Sequence, residues 1–388
     1  MQTAKRVKAR GKKPPESGFT LVEMLIGSTI LLVVIVITMS LYNRSNKIVV
    51  DQQQYSDIQH DVRSAMYFIS RDVQNAGVGF NAQLTGFFIE GTDAFGPGPE
   101  SSDALRLMGN YEFPLSLRIE RIVGVNARLY DGELLNMPYT CPDDLVNRTV
   151  MLVSTSCPGC FAYRYIGPNS VHGCDGTNSF ISFQSSSSEL NPPGGKFDES
   201  CGDECWENGI ITFGEIKYYW LDTTGYPADY SGLNLTVGGD GYLGIANTLY
   251  MTSSQADGST SHTPVSMDIE SIQFQYNGDL DEDGVLDGFT DWDNTNWTIL
   301  AGDDSATRTA KGIVISRIRQ VRMWVLGRTP KAFVSIRGTQ PTSLHIFRRP
   351  AVANVAAASV DDNHRRFLLE SAATIRNMSL GLYNEGIR

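Results

Sequence analysis

Between Pro15 and Pro97 the chain has no proline, and between Phe19 and Tyr42 it has no ionisable side chain except Glu23. The first absence leaves out the strongest helix breaker, and the second leaves an apolar run that water does not favour. Charge is scarce overall, at 19% of 388 residues, with 32 bases against 43 acids and a net charge of −11. That balance excludes a general nucleic-acid binder, which needs a basic face to displace counterions. Hydrophobic residues make up 41% of the chain, which excludes disorder and a pure coiled coil and suffices for one large or two medium cores. Recognisable catalytic patterns are missing too. The five histidines (His60, His172, His262, His345, His364) form neither HExxH nor a metal pair, GxSxG does not occur, and Gly194-Gly195-Lys196 lacks the rest of a P-loop. No catalytic set emerges, so the expectation is a protein that is not an enzyme.

What is present is unevenly spread. Residues 1–18 hold six bases and one acid, and residues 313–388 hold twelve bases and four acids, so the stretch between them is strongly acidic. Phe19 to Tyr42 is 24 residues long, and as a helix about 36 Å, enough to cross a bilayer. The basic leader should stay cytoplasmic by the positive-inside bias, which puts the C-terminal bulk across the membrane. A cleaved secretory signal fits poorly, because the apolar run is too long and no small-x-small site follows it at Thr38–Tyr42. Beyond the apolar run, Tyr55, Ile58, Val62, Ala65, Ile69 and Val73 recur at spacings of three and four, an apolar stripe on a polar helix. Asn75-Ala76-Gly77 supplies a stop, with glycine free to take the left-handed cap. The pattern predicts one continuous helix, its 19–42 half in lipid and its 43–77 half laid on a globular domain.

The junction Glu16-Ser17-Gly18-Phe19-Thr20-Leu21-Val22-Glu23-Met24-Leu25-Ile26 narrows the class. It resembles the type IV prepilin signature: a short basic leader ending in glycine, then phenylalanine, then an apolar helix with glutamate at its fifth residue. The resemblance implies cleavage after Gly18 by a prepilin peptidase and N-methylation of the new Phe19 terminus. A carboxylate one turn inside a membrane helix costs a few kcal/mol and usually has a partner. The freed Phe19 amine is that partner, either within the same chain, where residues 19 and 23 lie one turn apart, or, as the family implies, from a neighbouring subunit during filament registration. Many major pilins carry a proline near the exit of the apolar stretch, and this chain reads Ile37-Thr38-Met39-Ser40-Leu41 there. That difference, with the 311 residues after Gly77, leans away from a bulk filament subunit and towards a tip or initiation complex.

Past Gly77 the pattern turns to strands. Glycine (37), proline (16) and aromatics (10%) suit a turn-rich β protein. Ile272, Phe274 and Tyr276 alternate with Ser271, Gln273 and Gln275 as a half-buried strand would, and Ile216–Trp220, Leu105–Leu107, Val150–Val153 and Val321–Leu326 read similarly. Ser185–Gly195 and Thr252–Thr263 read as polar loops. The expected fold class is therefore α+β: a long N-terminal helix on an antiparallel sheet domain (78–388) with large loops and a cysteine-bearing sublobe near 141–205. Ile269–Tyr276 with an acidic turn, then Ile318–Leu326, then Arg365-Arg366-Phe367 running to Ile375-Arg376-Asn377, resembles the PilW family of type IV pilus assembly proteins. That resemblance implies a minor pilin that helps to prime pilus assembly. Its implied partners are the other minor pilins and the major pilin, met through the helix, and a PilY-type tip adhesin. The implied location is the inner membrane, with a periplasmic domain, and then the pilus. The alternatives are a pseudopilin of a type II secretion system and a membrane-anchored, calcium-dependent exported enzyme.

Three further groups carry chemistry. Asp279-Leu280-Asp281-Glu282-Asp283-Gly284-Val285-Leu286-Asp287 matches the first nine positions of an EF-hand-like loop. Asp279, Asp281 and Asp283 offer carboxylates, Val285 its carbonyl and Asp287 a direct or water-mediated ligand. The twelfth position is Thr290, so the bidentate glutamate is missing and Asp291 or Asp293 is the candidate to close the shell. Calcium is the expected, structural ion, because the ligands are many, oxygen-only and loop-borne; the alternative is a solvated acidic turn. Six cysteines, Cys141, Cys157, Cys160, Cys174, Cys201 and Cys205, fall in the exported region, where disulfides in any of 15 pairings are expected and a four-thiolate zinc site is the minority reading. The C-terminal arginines (Arg317, Arg319, Arg322, Arg348, Arg349, Arg365, Arg366) face either the chain's own acids or an acidic partner subunit or DNA.

Overall fold

The computed structural model describes residues 18, 20–78, 88–95, 102–109, 111, 116–124, 126–134, 145–146, 148–156, 161–166, 172–174, 179–183, 203–213, 215–222, 247–254, 260–281, 283–298, 305–331, 335–337, 340–342 and 347–376. In chain order the elements are α1 (Leu21–Gln74), β1 (Ile89–Thr92), β2 (Ala104–Gly109), β3 (Ser116–Val123), β4 (Asn126–Leu129), β5 (Arg148–Val153), β6 (Phe161–Ile166), β7 (His172–Gly173), β8 (Phe180–Ser182), α2 (Asp203–Trp206), β9 (Ile210–Phe213), β10 (Glu215–Asp222), β11 (Thr248–Ser254), β12 (Thr260–Ser266), β13 (Ile269–Gly278), α3 (Ser305–Ser316), β14 (Ile318–Arg328), β15 (Ser335–Arg337), β16 (Gln340–Thr342) and β17 (Arg366–Thr374).

The chain divides into two compact units, residues 1–53 and 54–388, with the division inside α1. The first unit is helix alone in its described part. Its side chains from Leu21 to Val50 are exposed. It is long and apolar enough to cross a membrane.

In the second unit the rest of α1 is a core element. Ile58, Val62, Ala65, Ile69 and Val73 are fully buried, Met66 nearly so, while Tyr55 is half-buried. They pack on residues of two antiparallel sheets, one ordered β1-β2-β10-β11-β12 and the other β13-β14-β17. The helix approaches β14 closely because residue 327 is glycine; a Cβ there would lie 2.6 Å from the Cγ2 atoms of both Ile58 and Val62. At its end Asn75 and Ala76 continue the turn, and Gly77 takes φ +73° with its N–H donated to the Met108 carbonyl.

The two sheets are stitched at Ser102 and Asp103. Asp103 N–H donates to the Ile272 carbonyl, its carboxylate accepts from Phe274 N–H (2.8 Å) and Ala94 N–H (3.1 Å), and Ser102 Oγ accepts from Ile272 N–H. The burial of β13 departs from the sequence pattern: both faces are covered, Ser271 and Gln273 included, where the alternation predicts a half-buried strand. A second departure concerns Thr252–Thr263: its ends belong to β11 and β12, with Thr252 paired to His262 and Met251 to Thr263.

A seven-stranded sheet, β6-β5-β9-β3-β4-β8-β7, has its own core of Leu117, Ile119, Leu129, Leu152, Ile166, Ile181, Trp206, Ile211 and Phe213 among others. The sublobe expected at 141–205 is thus part of a wider body, since β3, β4 and β9 lie outside those bounds. β15 and β16 form a separate hairpin.

Candidate functional site

At the start of α1, Thr20 and Glu23 form a reciprocal cap. Thr20 N–H and Thr20 Oγ1–H each donate to Glu23 Oε2 at 2.9 Å, and Glu23 N–H donates to Thr20 Oγ1 at 3.3 Å. Two of the N–H groups that a helix start leaves unpaired are satisfied in this way, and the carboxylate is held where the helix dipole favours it. Glu23 Oε1 makes no hydrogen bond among the described residues. Gly18 is exposed, and Phe19 lies outside the described residues. Besides the Phe19 amine expected from the sequence, Glu23 thus has a partner in Thr20. The signal was present as threonine followed three residues later by glutamate ahead of an apolar run.

Lower on α1, in the second unit, Asp72 is buried with its carboxylate accepting from Lys217 Nζ (2.9 Å), Tyr219 Oη (2.6 Å) and Arg71 Nε (3.0 Å). Burial and the neighbouring Asp72 charge push the Tyr219 hydroxyl far up, so it stays protonated and donates. Lys217 Nζ also sits 4.1 Å from the centre of the Tyr111 ring. The cluster fixes the last helical turn to β10. A lone aspartate in a helix has no periodic signature, which is why the sequence did not reveal it.

The acidic loop follows β13. Ligand oxygens of Asp279, Asp281 and Asp283 lie within 4.8 Å of one another. Gly284 N–H donates to Asp279 Oδ2, Asp283 N–H to Asp281 Oδ1, Val285 N–H to Asp283 Oδ1 and Leu280 N–H to Asp287 Oδ2. Gly284 and Gly288 take φ +84° and +98°, which only glycine adopts without strain. The loop base is tied down by Arg317 Nη1 donating to the Leu280 carbonyl and Gly288 N–H donating to Asn277 Oδ1. Asp279 Oδ1 is buried without a hydrogen-bond partner, an arrangement that suits a cation-ligating oxygen. Thr290 bridges to Tyr276. Asp291 Oδ1 accepts from Gln275 Nε2, and both oxygens of Asp293 are taken by Thr295 and Asn296, whose bonds hold that carboxyl below the usual range. The three first aspartates are therefore brought together, Asp287 braces the loop backbone, and Asp291 and Asp293 are engaged elsewhere.

Of the cysteines, Cys174 and Cys205 are each disulfide-bonded. Cys141, Cys157, Cys160 and Cys201 lie outside the described residues. The C-terminal arginines meet the chain's own groups. Arg366 pairs with Glu270 and Asp362, Arg328 with Glu270, Arg348 with Asp361 and Arg322 with Glu370. Arg319 donates to the Ser316 carbonyl, Arg349 to that of Ala356, and Arg365 lies over the Phe347 ring.

Residues 13–39 match the prokaryotic N-terminal methylation motif, which is type IV prepilin-like. No curated protein matches the chain. Among solved structures, a type IV-like pilin from Thermus thermophilus is similar at 9% identity and a TM-score of 0.29, over 82% of this chain and 98% of that one.

Proposed function

We propose that this chain is a minor pilin of the PilW type, which joins an initiation or tip complex of a type IV pilus through its N-terminal helix and has no catalytic role. The observation that carries the reading is the methylation motif at 13–39, which runs directly into a helix that is apolar and exposed over its first half and a core element over its second. Cleavage after Gly18 frees the Phe19 amine one turn from Glu23, whose Oε1 is open to receive it or the amine of a neighbouring pilin. Neutralising that carboxylate lowers the cost of keeping it in lipid and gives the helix a fixed register among like helices. Before assembly the chain spans the inner membrane with its domain outside the cytoplasm. Its partners are the prepilin peptidase, the other minor pilins, the major pilin and a PilY-type adhesin.

The acidic loop is read as a structural calcium site held by Asp279, Asp281, Asp283 and the Val285 carbonyl, with Asp287 ordering the backbone; the buried, unpartnered Asp279 Oδ1 supports it. The ion would neutralise a loop that holds seven acids and no base between residues 279 and 293.

Intact mass of the protein recovered from cells tests the processing half, with a chain starting at methylated Phe19 expected and an uncut leader overturning it. Deletion of the gene should abolish surface pili. Intact pili with lost secretion would assign the chain to a type II secretion pseudopilin instead.

A further inference from the structure

Among the described residues, β17 ends its sheet with no strand paired on its outer side. Its pairing to β14 runs without a bulge from Gln320 opposite Thr374 to Arg328 opposite Arg366. Ile375 N–H donates to the Arg319 carbonyl and Thr329 N–H to the Arg365 carbonyl, so odd-numbered residues of β17 face β14. By antiparallel alternation, the backbone groups of Arg366, Leu368, Glu370, Ala372 and Thr374 point away from the sheet. Among the described residues none pairs with them.

An edge of nine residues, roughly 30 Å long, is a template for another strand, and proteins ordinarily blunt such edges with lysine, proline, bulges or brevity. Three other edge strands are protected in such ways. β12 carries Pro264 and pairs with a register shift, β1 has four residues, and β13 is covered by Ser102, Asp103 and Thr290. β17 has no lysine, proline or bulge and runs for nine residues. Its outward residues are Arg366, which is held by Glu270 and Asp362, the uncharged Leu368, Ala372 and Thr374, and Glu370, which is exposed and meets Arg322 at 3.6 Å from one side.

We propose that β17 is a docking edge that takes an extended strand of a different protein by β-addition. The partner strand carries a basic residue opposite Glu370 and apolar residues beside Leu368 and Ala372. A second copy is the disfavoured occupant, because two-fold pairing over the full strand sets Glu370 against Glu370, and like charges directly opposed destabilise a sheet. A basic residue there instead sets opposite charges against each other, on the side of Glu370 away from Arg322. This surface is independent of how the N-terminus is processed.

The test uses the full chain in detergent micelles and a nine-residue peptide of alternating threonine and valine with lysine at its centre, beside one with glutamate there. The lysine peptide is expected to bind and to slow amide exchange across 366–374, with the glutamate peptide about fivefold weaker. Ala372→Pro removes an outward N–H without touching the bonds to β14 and should abolish binding at unchanged Tm. Glu370→Lys should reverse the peptide preference, a readout that stands even where the proline variant loses stability. Absence of binding, binding indifferent to both substitutions, or a dimer of the full chain that Ala372→Pro dissolves would each overturn the proposal.

Discussion

Asp103 shows how one buried side chain can make a stability pH-dependent. Burial between the two sheets pushes its carboxyl up to about 8, against two amide donors that pull it down and with Asp93 adding to the rise. The folded value lies above the ordinary 3.8, so the folded state holds a proton that the unfolded chain has released. Stability should therefore be greatest below pH 4 as far as this group is concerned and decline as pH rises towards 8, by up to about 1.4 kcal/mol per pH unit. Urea melts across that range check it. Asp103→Asn should flatten the slope, and an unchanged slope would show that Asp103 is ionised throughout.

Gly327 is a second such position. An alanine there would meet Ile58 and Val62, neither of which can retreat without moving α1. Gly327→Ala should cost about 1–3 kcal/mol, read as a lower midpoint in thermal or denaturant unfolding, with no change expected if the helix backs off freely.

Elements act through what they join. The acidic loop is braced at its base by Arg317 and Asn277, so its backbone is set before any ion arrives, and an ion would add chiefly charge neutralisation. Chelation should lower the Tm of the wild type and leave the Asp281→Asn, Asp283→Asn double variant unmoved. Equal curves for the wild type with and without chelator would remove the ion from the account. The second half of α1 acts differently, as the element on which two sheets converge. Its apolar stripe was legible because helical periodicity repeats locally every three or four residues. Asp72 was not, because its partners Lys217 and Tyr219 come from a strand far along the chain.

For the molecule as a whole, the helix is exposed in its first half and buried on one face in its second, and the methylation motif lies at its start. Glu23→Gln should leave cleavage after Gly18 intact but reduce incorporation into pili, measured by the fraction of mature protein in sheared pili against that in the membrane. Unchanged incorporation would leave Glu23 with the capping of Thr20 as its sole function.

The sequence by itself determined the features that depend on neighbours in the chain: the proline-free helix, its stop at Gly77, the methylation motif and the spacing of Asp279, Asp281 and Asp283. These are local because a helix, a glycine cap and an acidic turn are each closed within a few residues. Tertiary structure alone decided that β2 lies between β1 and β10, that Ser271 and Gln273 are buried, that the sublobe recruits β3, β4 and β9, and that β17 is an edge among the described strands. Strand partners are chosen by contacts between residues far apart in the chain, and alternation along one strand carries no record of which strand will lie beside it.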